Sequence, residues 1–349
     1  MELTERCNFH CVYCYANSGP DNTTELAQEI TLDIIDQFIT QGGETIVISG
    51  GEPMLHPEWE KIAAHSCKVG TRVCLATNGS LISRYIEALA GLPLRVLVSL
   101  DGLVAKTHES ARGRGTLDPV LAGILGLAGK QNRACSLGLN VVVFKSNLIE
   151  VPRLIQFALD NGIDYTAFCV LKHQGRNRNQ QVQPLNSIER LWLHDYLDQK
   201  QLELGEKLRI EGANCGHENF LLESCDAGVY PCWLGRSVKV LPDGRIFACD
   251  QAEHPFFCVG NVHTDSLLSA LYGEAISRKR SLIAERFAQT PVCRACLIGE
   301  LCGGGCPSEA LDRYGELLAP DGSCDARQLY FISTALAVEK NAGSRATAY

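Results

Sequence analysis

The sequence contains no apolar run approaching the roughly 20 residues that a membrane-spanning helix requires, so a helical membrane protein is not expected. Positive charge is also short. The 32 Lys and Arg stand against 40 Asp and Glu, and the net charge of −8 argues against a nucleic-acid partner. No secretory signal is expected, because the first motif starts where such a signal would lie. Export is therefore set aside and a cytoplasmic chain is expected. Composition is otherwise ordinary for a globular protein, at 46% hydrophobic and 21% charged, and 349 residues suggest about two domains. Cysteine is the exception. Seventeen are far more than a core needs, and a disulfide framework suits a short exported chain. Thiolates gathered for metal are the better reading.

Three of these cysteines open the chain, in Cys7-Asn8-Phe9-His10-Cys11-Val12-Tyr13-Cys14. Three thiolates on one short loop can hold three corners of a cubane iron–sulfur cluster. The fourth iron is then left open to bind and reduce a substrate. A zinc knuckle would use the same residue types. The C-x₃-C-x₂-C spacing, with aromatic Tyr13 before the last cysteine, resembles the radical S-adenosylmethionine (SAM) enzymes. The resemblance implies that the unique iron chelates the amino and carboxylate groups of SAM. It also implies that an electron from the cluster, supplied by an external low-potential donor, splits SAM to methionine and a 5′-deoxyadenosyl radical. That radical abstracts hydrogen from substrate.

After the cluster loop the chain alternates. Residues 2–4 read as a short strand, 17–29 as a loop, and a helix starts at Thr31, with Ile34, Ile35, Phe38 and Ile39 at helical spacing. Gly42-Gly43 ends it. Strands are expected at 45–49, 72–76, 94–100, 137–143 and 165–171, and helices near 59–67, 81–90, 119–130, 151–161 and 185–199. Such alternation means an α/β chain with a parallel sheet, curled by right-handed crossovers. Six units fall short of a closed barrel and fit the partial (β/α)₆ TIM-like barrel of the resembled family, over residues 1–204.

Chemistry is expected at the strand ends, since helices wall off the rest. Gly50-Gly51-Glu52 follows the second of these strands. Two glycines let a ligand approach the backbone, and Glu52 can accept from an ammonium group; a tight turn would also use the glycines. In radical SAM enzymes this motif contacts the SAM amino group. Thr77-Asn78-Gly79 and Ser99-Leu100-Asp101-Gly102 close the next two strands, and with His108 and Arg112 they resemble the family's SLDG…H…R pattern. Ser99 suits a ribose hydroxyl. Asp101 could instead cap a turn, and His108 and Arg112 face either substrate or solvent. Asn140, polar in an apolar run, points toward SAM or is a hydrogen-bonded structural residue. Cys67, Cys74, Cys135 and Cys169 are singletons assigned to core.

Residues 205–349 read as a second, cysteine-rich unit. Cys232 precedes two short strands around Pro242-Asp243-Gly244, a hairpin that brings Cys249 near it. Cys293-x₂-Cys296-x₅-Cys302-x₃-Cys306 then runs through Gly303–Gly305, and Cys324 starts a last helix. This order looks like the seven-cysteine SPASM pattern, which a zinc ribbon would not explain. The eighth ligand implied for two fully ligated cubanes is Cys225, with Cys215 in reserve. By resemblance one auxiliary cluster uses Cys225, Cys232, Cys249 and Cys306, and the other Cys293, Cys296, Cys302 and Cys324. That makes three [4Fe–4S] clusters with the first, and the auxiliary pair would staple a thin core. Cys258 is left as a structural thiol. Asp250 follows a ligand, and in the anaerobic sulfatase-maturating members an Asp at the matching position is the substrate base. A buried, cluster-lined cleft would suit that role; a solvated turn residue is the other reading.

The function implied is oxidation or cross-linking of a side chain in a ribosomally made peptide. Sulfatase formylglycine maturation and oxidation of a small molecule such as a sugar alcohol are the alternatives. Peptide-maturing members often carry a leader-binding domain, for which no room is expected before Cys7, so the barrel, the SPASM part or a separate protein would hold any leader.

Overall fold

Aliphatic and β-branched runs become the sheet that organises the first part of the chain. Strands β1 (Thr45–Ile48), β2 (Arg72–Thr77), β3 (Arg95–Ser99), β4 (Ser136–Val143), β5 (Tyr165–Val170) and β6 (Arg209–Glu211) pair in that order, every neighbour parallel. Helix α1 (Gln28–Thr40) precedes β1, and α2 (Trp59–Lys68), α3 (Ile86–Gly91), α4 (Ala105–Arg112), α5 (Leu117–Ala128), α6 (Val151–Asp160) and α7 (Ser187–Leu204) run between the strands. Sequential parallel order is that of a partial TIM-like barrel. The computed structural model describes residues 1–171, 173–179, 181–211, 232 and 234–333. Cys215 and Cys225 lie outside the described residues. Among the described residues no helix is long and apolar enough to cross a membrane.

The period of two along each strand sorts its side chains. Ile46, Ile48, Val73, Leu75, Val96, Val98, Leu137 and Leu139 share one core with Ile35, Ile62, Leu89, Val120 and Leu154 of the helices. The alternate residues, among them Val47, Ala76, Ser99, Asn140 and Cys169, turn to the other face and line a cavity.

Several expectations are corrected. Residues 2–4 do not make a full strand; Glu2 forms only a parallel bridge to Ser49. The sixth strand is β6, beyond the boundary expected at residue 204, so the barrel extends to Glu211. Its three-residue run is too short and polar to stand out in sequence. The segment bearing His108 and Arg112 is helix α4, with both side chains buried. The helix expected over 81–90 is divided into a 3₁₀ turn, Ile82–Arg84, and α3.

The extension has its own three-stranded antiparallel sheet, β7 (Lys239–Val240), β8 (Arg245–Phe247) and β9 (Cys258–Asn261). The β7–β8 turn places Gly244 at φ +87°, in the left-handed region that favours glycine. Helices α8 (Leu267–Tyr272), α9 (Glu274–Gln289), α10 (Pro291–Arg294), α11 (Gly299–Cys302) and α12 (Pro307–Tyr314) follow, and a last helix covers 324–333. The core here is small, built on Leu234, Phe247, Phe257, Ile276, Ile283 and Leu311. A separate apolar cluster joins the two units, with Leu26 and Ile34 packed on Val240, Ile246, Leu267 and Leu271. Main-chain bonding continues across: Leu3 N–H donates to Ser49 O at 2.9 Å, and Glu2 N–H to Val240 O at 2.9 Å.

Candidate active site

Cys7, Cys11 and Cys14 all line a cavity of about 1050 Å³ at the C-terminal end of the sheet. Their loop is held from three sides. At the end of β2, Asn78 Nδ2 donates to Asn8 Oδ1 at 2.8 Å and lies 3.8 Å from Cys7 Sγ. At the end of α4, Ala111 O accepts Val12 N–H at 2.9 Å, and Arg112 O accepts the Cys11 thiol at 4.0 Å. After β5, Arg176 donates its N–H to Cys14 O at 3.0 Å and Nε to Cys11 O at 2.7 Å. Gly175 packs so closely that a Cβ there would lie 2.2 Å from Cys14 O. Burial pushes the Cys7 thiol up to about 12 and raises that of Cys11. Metal must displace those protons, so binding releases them. Among the described residues no three His, Cys, Asp or Glu are drawn together as tightly as a single ion requires. A cubane asks for less, one thiolate at each of three corners, and three cavity-facing cysteines on one braced loop fit it.

The Gly50-Gly51-Glu52 motif divides in two. Both glycines line the cavity, yet the space a Cβ would take is filled by the chain itself. It would lie 2.5 Å from Thr4 O at Gly50 and 2.3 Å from Arg6 O at Gly51. The glycines therefore let the segment leading into the cluster loop cross close over β1. Glu52 is not among the cavity-lining residues. It is fully buried and accepts from Asn78 N–H at 2.7 Å, Thr77 Oγ1 at 2.9 Å and Met54 N–H at 3.2 Å. Burial pushes its carboxyl up to about 7 despite those donors. It ties the end of β1 to the turn that braces Cys7.

Asp101, also fully buried, is the second brace. It accepts Arg112 Nε at 2.7 Å and Nη2 at 3.1 Å, Val142 N–H at 3.0 Å, and the Tyr13 hydroxyl. Tyr13 lines the cavity but spends its hydroxyl on this carboxylate. His108 Nδ1 accepts Asp101 N–H at 3.3 Å. Burial and the Arg112 charge lower the imidazole to about 4. The SLDG…H…R residues thus form one network under the cluster loop.

Ser99 and Asn140 line the same cavity from β3 and β4, as does Asp250 from the extension. Cys169, expected in the core, lies there too, 3.8 Å from Asn140 Oδ1. Of the two readings of Asp250, a base in a buried cleft and a solvated turn residue, its exposure fits the second. Asp250 is exposed just past the hairpin, accepting from Ser237 Oγ at 2.7 Å and Gln251 Nε2 at 2.7 Å.

Among the described residues, two sets of cysteines in the extension lie near one another, and none of them lines this cavity. Cys293 feels the charges of Cys302 and Cys296, Cys324 those of Cys302 and Cys293, and Cys232 that of Cys306. Sequence reasoning did not find the residues that arrange them. Buried Arg286 donates to Gly305 O at 2.9 Å and Leu317 O at 2.5 Å. Arg327 pairs with buried Asp321 and lies 3.5 Å from Cys302 Sγ, and Asp321 accepts Cys306 N–H at 2.7 Å. A buried guanidinium needs such a full set of acceptors, but lone arginines in a sequence do not announce them.

Residues 1–158 match the Radical SAM superfamily, and residues 225–297 match SPASM, an iron–sulfur cluster-binding domain. The sequence is 30% identical over 285 residues to the AdoMet-dependent heme synthase of Methanosarcina barkeri, a match covering 73% of this chain and 79% of that protein. It is 28% identical over 331 residues to the mycofactocin maturase MftC of Mycobacterium tuberculosis, covering 93% and 81%. Streptococcus suis SuiB bound to S-adenosylmethionine superposes with a TM-score of 0.74 over 93% of this chain and 76% of SuiB. At 17% identity that likeness speaks for the fold. SuiB has also been solved bound to its precursor peptide SuiA.

Proposed function

Since the chain belongs to the radical SAM superfamily and carries a SPASM iron–sulfur domain, we propose that it cleaves SAM reductively to oxidise or cross-link a side chain of a ribosomally made peptide. One observation carries the reading. The three cysteines of the first loop, the two glycines after β1 and Asp250 of the extension all line a single cavity that both units build. Bound SAM and its cluster supply radical chemistry at an unactivated C–H bond. Cys7, Cys11 and Cys14 would hold that cluster, and Gly50, Gly51, Ser99 and Asn140 would face SAM. Tyr13 and Glu52 act through the loop and turn they brace. Cys225, Cys232, Cys249 and Cys306 hold one auxiliary cluster, and Cys293, Cys296, Cys302 and Cys324 the other, which makes three in all. Asp250, at the mouth, meets a polar group of the substrate. An external low-potential donor reduces the first cluster.

The peptide class is supported by the maturase relative, whose match runs through the extension. Small-molecule oxidation is the second reading, favoured by the relative named as a heme synthase. The test is a mass spectrum of a short peptide encoded beside the gene, after anaerobic co-expression. Loss of two hydrogens, or a multiple, with wild type but not with Cys7, Cys11 and Cys14 replaced by Ala supports the proposal. An unchanged peptide from cells holding cluster-loaded enzyme overturns it, in favour of a small molecule or a sulfatase side chain. Asp250→Asn is expected to raise KM more than it lowers kcat.

A further inference from the structure

A chain of charged side chains runs from the cavity to the outside, at the junction of the two units. Glu2 lines the cavity and is only 3% exposed. Its Oε1 accepts from the Tyr15 hydroxyl at 3.1 Å and lies 3.8 Å from Lys239 Nζ. Lys239, 6% exposed, lines the cavity as well, and its Nζ donates to Glu253 Oε1 at 3.1 Å. The Glu253 side chain is 31% exposed and lines a second, polar cavity of about 160 Å³, with Asn17 and Asp312. Each end of the series therefore opens on a different space.

Two carboxylates share one ammonium group, and burial lowers the neighbouring Met1 amino group to about 6, so little positive charge offsets the second carboxylate in this buried place. An extra proton is favoured there. Burial raises the Glu2 carboxyl, and Glu253 adds to that, while Lys239 and the Met1 amino group oppose it. A purely structural ion pair would be expected to close up, as Asp101 and Arg112 do at 2.7 Å. The Glu2–Lys239 contact stays loose.

We propose that Glu2, Lys239 and Glu253 form a proton exit: Glu2 takes the proton that the substrate loses on oxidation, and Lys239 and Glu253 pass it to solvent. The inference rests on the oxidative reading above. In that reading the substrate C–H site gives up a hydrogen atom to the SAM chemistry, then one electron and one proton from a neighbouring bond. The electron goes to an oxidised iron–sulfur cluster of the extension. The proton forms an O–H bond on Glu2. Lys239 Nζ gives a proton to Glu253, which releases it to water, and Glu2 restores the ammonium group. All three groups return to their starting charges.

The experiment uses full-length, cluster-loaded protein with its peptide, and measures oxidised product per 5′-deoxyadenosine. Glu2→Gln keeps an acceptor for Tyr15 but cannot take up a proton. The ratio is expected to fall on the order of 100-fold, the usual scale of a lost general base. In D₂O the recovered peptide should gain deuterium, because its radical is quenched by reductant and a solvent deuteron. Glu253→Gln should lower the ratio less, roughly 10-fold, and added imidazole should restore it. Infrared spectra of substrate-free protein give a readout without turnover. A carboxylic-acid band should form above the usual carboxylate range as pH is lowered, and vanish in Glu2→Gln. An unchanged ratio in Glu2→Gln, or absence of that band in wild type, overturns the exit. If Glu2→Gln loses iron and does not fold, Glu253→Gln decides: rescue by imidazole supports the exit, and an unaltered or unrescued ratio overturns it. Wild type that forms 5′-deoxyadenosine but no oxidised product overturns the oxidative reading instead.

Discussion

The two cysteine-bearing regions of this molecule are held by opposite means. The first loop rests on a prebuilt frame. It lies over a six-stranded sheet with a continuous aliphatic core, and main-chain bonds from Gly19, Ala111 and Arg176 fix its shape. The extension has a small core, and its Gly303–Gly305 loop is gathered around buried Arg286 and Arg327. A cluster in the first region would be a guest on a frame whose core and main-chain bonds are made by the protein itself. Iron–sulfur binding in the second would take part in folding, since metal-binding free energy becomes folding free energy where the apolar core is thin.

The largest effect should come from breaking that asymmetry directly. Replacing Cys7, Cys11 and Cys14 by Ala should abolish SAM cleavage while barrel amides keep their protection from hydrogen exchange. Replacing Cys302 by Ala should open the extension to exchange and proteolysis while the barrel amides keep their protection. Equal loss of protection in both regions, in either variant, would remove the distinction.

Next in size is Asp101. It is the buried counter-charge of Arg112 and the acceptor for Tyr13 in the cluster loop. Asp101→Asn strands a guanidinium and should cost about 3–5 kcal/mol in denaturant unfolding. The double variant Asp101→Leu/Arg112→Met should regain most of that stability, because paired apolar replacement is often neutral. It should not regain SAM cleavage, since Tyr13 has lost its acceptor. Recovery of both would make the network packing alone.

His108 gives the barrel a pH signature of its own. Burial, with Arg112 adding, lowers its imidazole from 6.5 to about 4, and Nδ1 must stay unprotonated to accept Asp101 N–H. The unfolded chain therefore binds this proton more readily than the folded one. The contribution is fully present above pH 6.5 and is lost as pH falls toward 4, roughly 3 kcal/mol in all. The stability difference between wild type and His108→Gln should shrink over that window. A difference independent of pH would show that the imidazole does not titrate with folding.

How much of this was legible in sequence follows from how local each signal is. The C-x₃-C-x₂-C loop and the seven spaced cysteines of the extension stand out because thiolate chemistry is carried by residue type and spacing together. The strands at 45–48, 72–77 and 136–143 stand out because a sheet with one face under helices and the other on a cavity is rich in apolar residues along each strand. Glu52 was visible as part of a motif, but its direction was not. The turn at Thr77 and Asn78 captures the carboxylate, and that turn is distant in sequence. The series Glu2, Lys239 and Glu253 left no pattern at all, since its members meet only when the hairpin docks on the first residues. Strand β6 was missed for a similar reason: its three residues are recognisable only by pairing with β5.

The smallest effect tests whether the two regions are separate at all. Asp312 of α12 is nearly buried and accepts Gln174 Nε2 at 2.9 Å and Arg178 Nη2 at 2.8 Å. Gln174 also donates to Gln251 O at 2.9 Å. Between Gln174 and Arg178 lie Gly175 and Arg176, which press on Cys14 and bond the carbonyls of Cys11 and Cys14. The extension thus latches the segment that closes the first cluster loop. Asp312→Asn keeps the shape and weakens two donors' bonds, at a cost of about 1 kcal/mol. Global unfolding should barely register that, but local opening should. The Arg176 amide is expected to exchange roughly five-fold faster while the amides of β3 and β4 keep their rates. The spectrum of the first cluster should then broaden as its loop samples more positions. If the Arg176 amide exchanges at the wild-type rate, the barrel holds its cysteines unaided, and the frame beneath the first loop is complete without the extension.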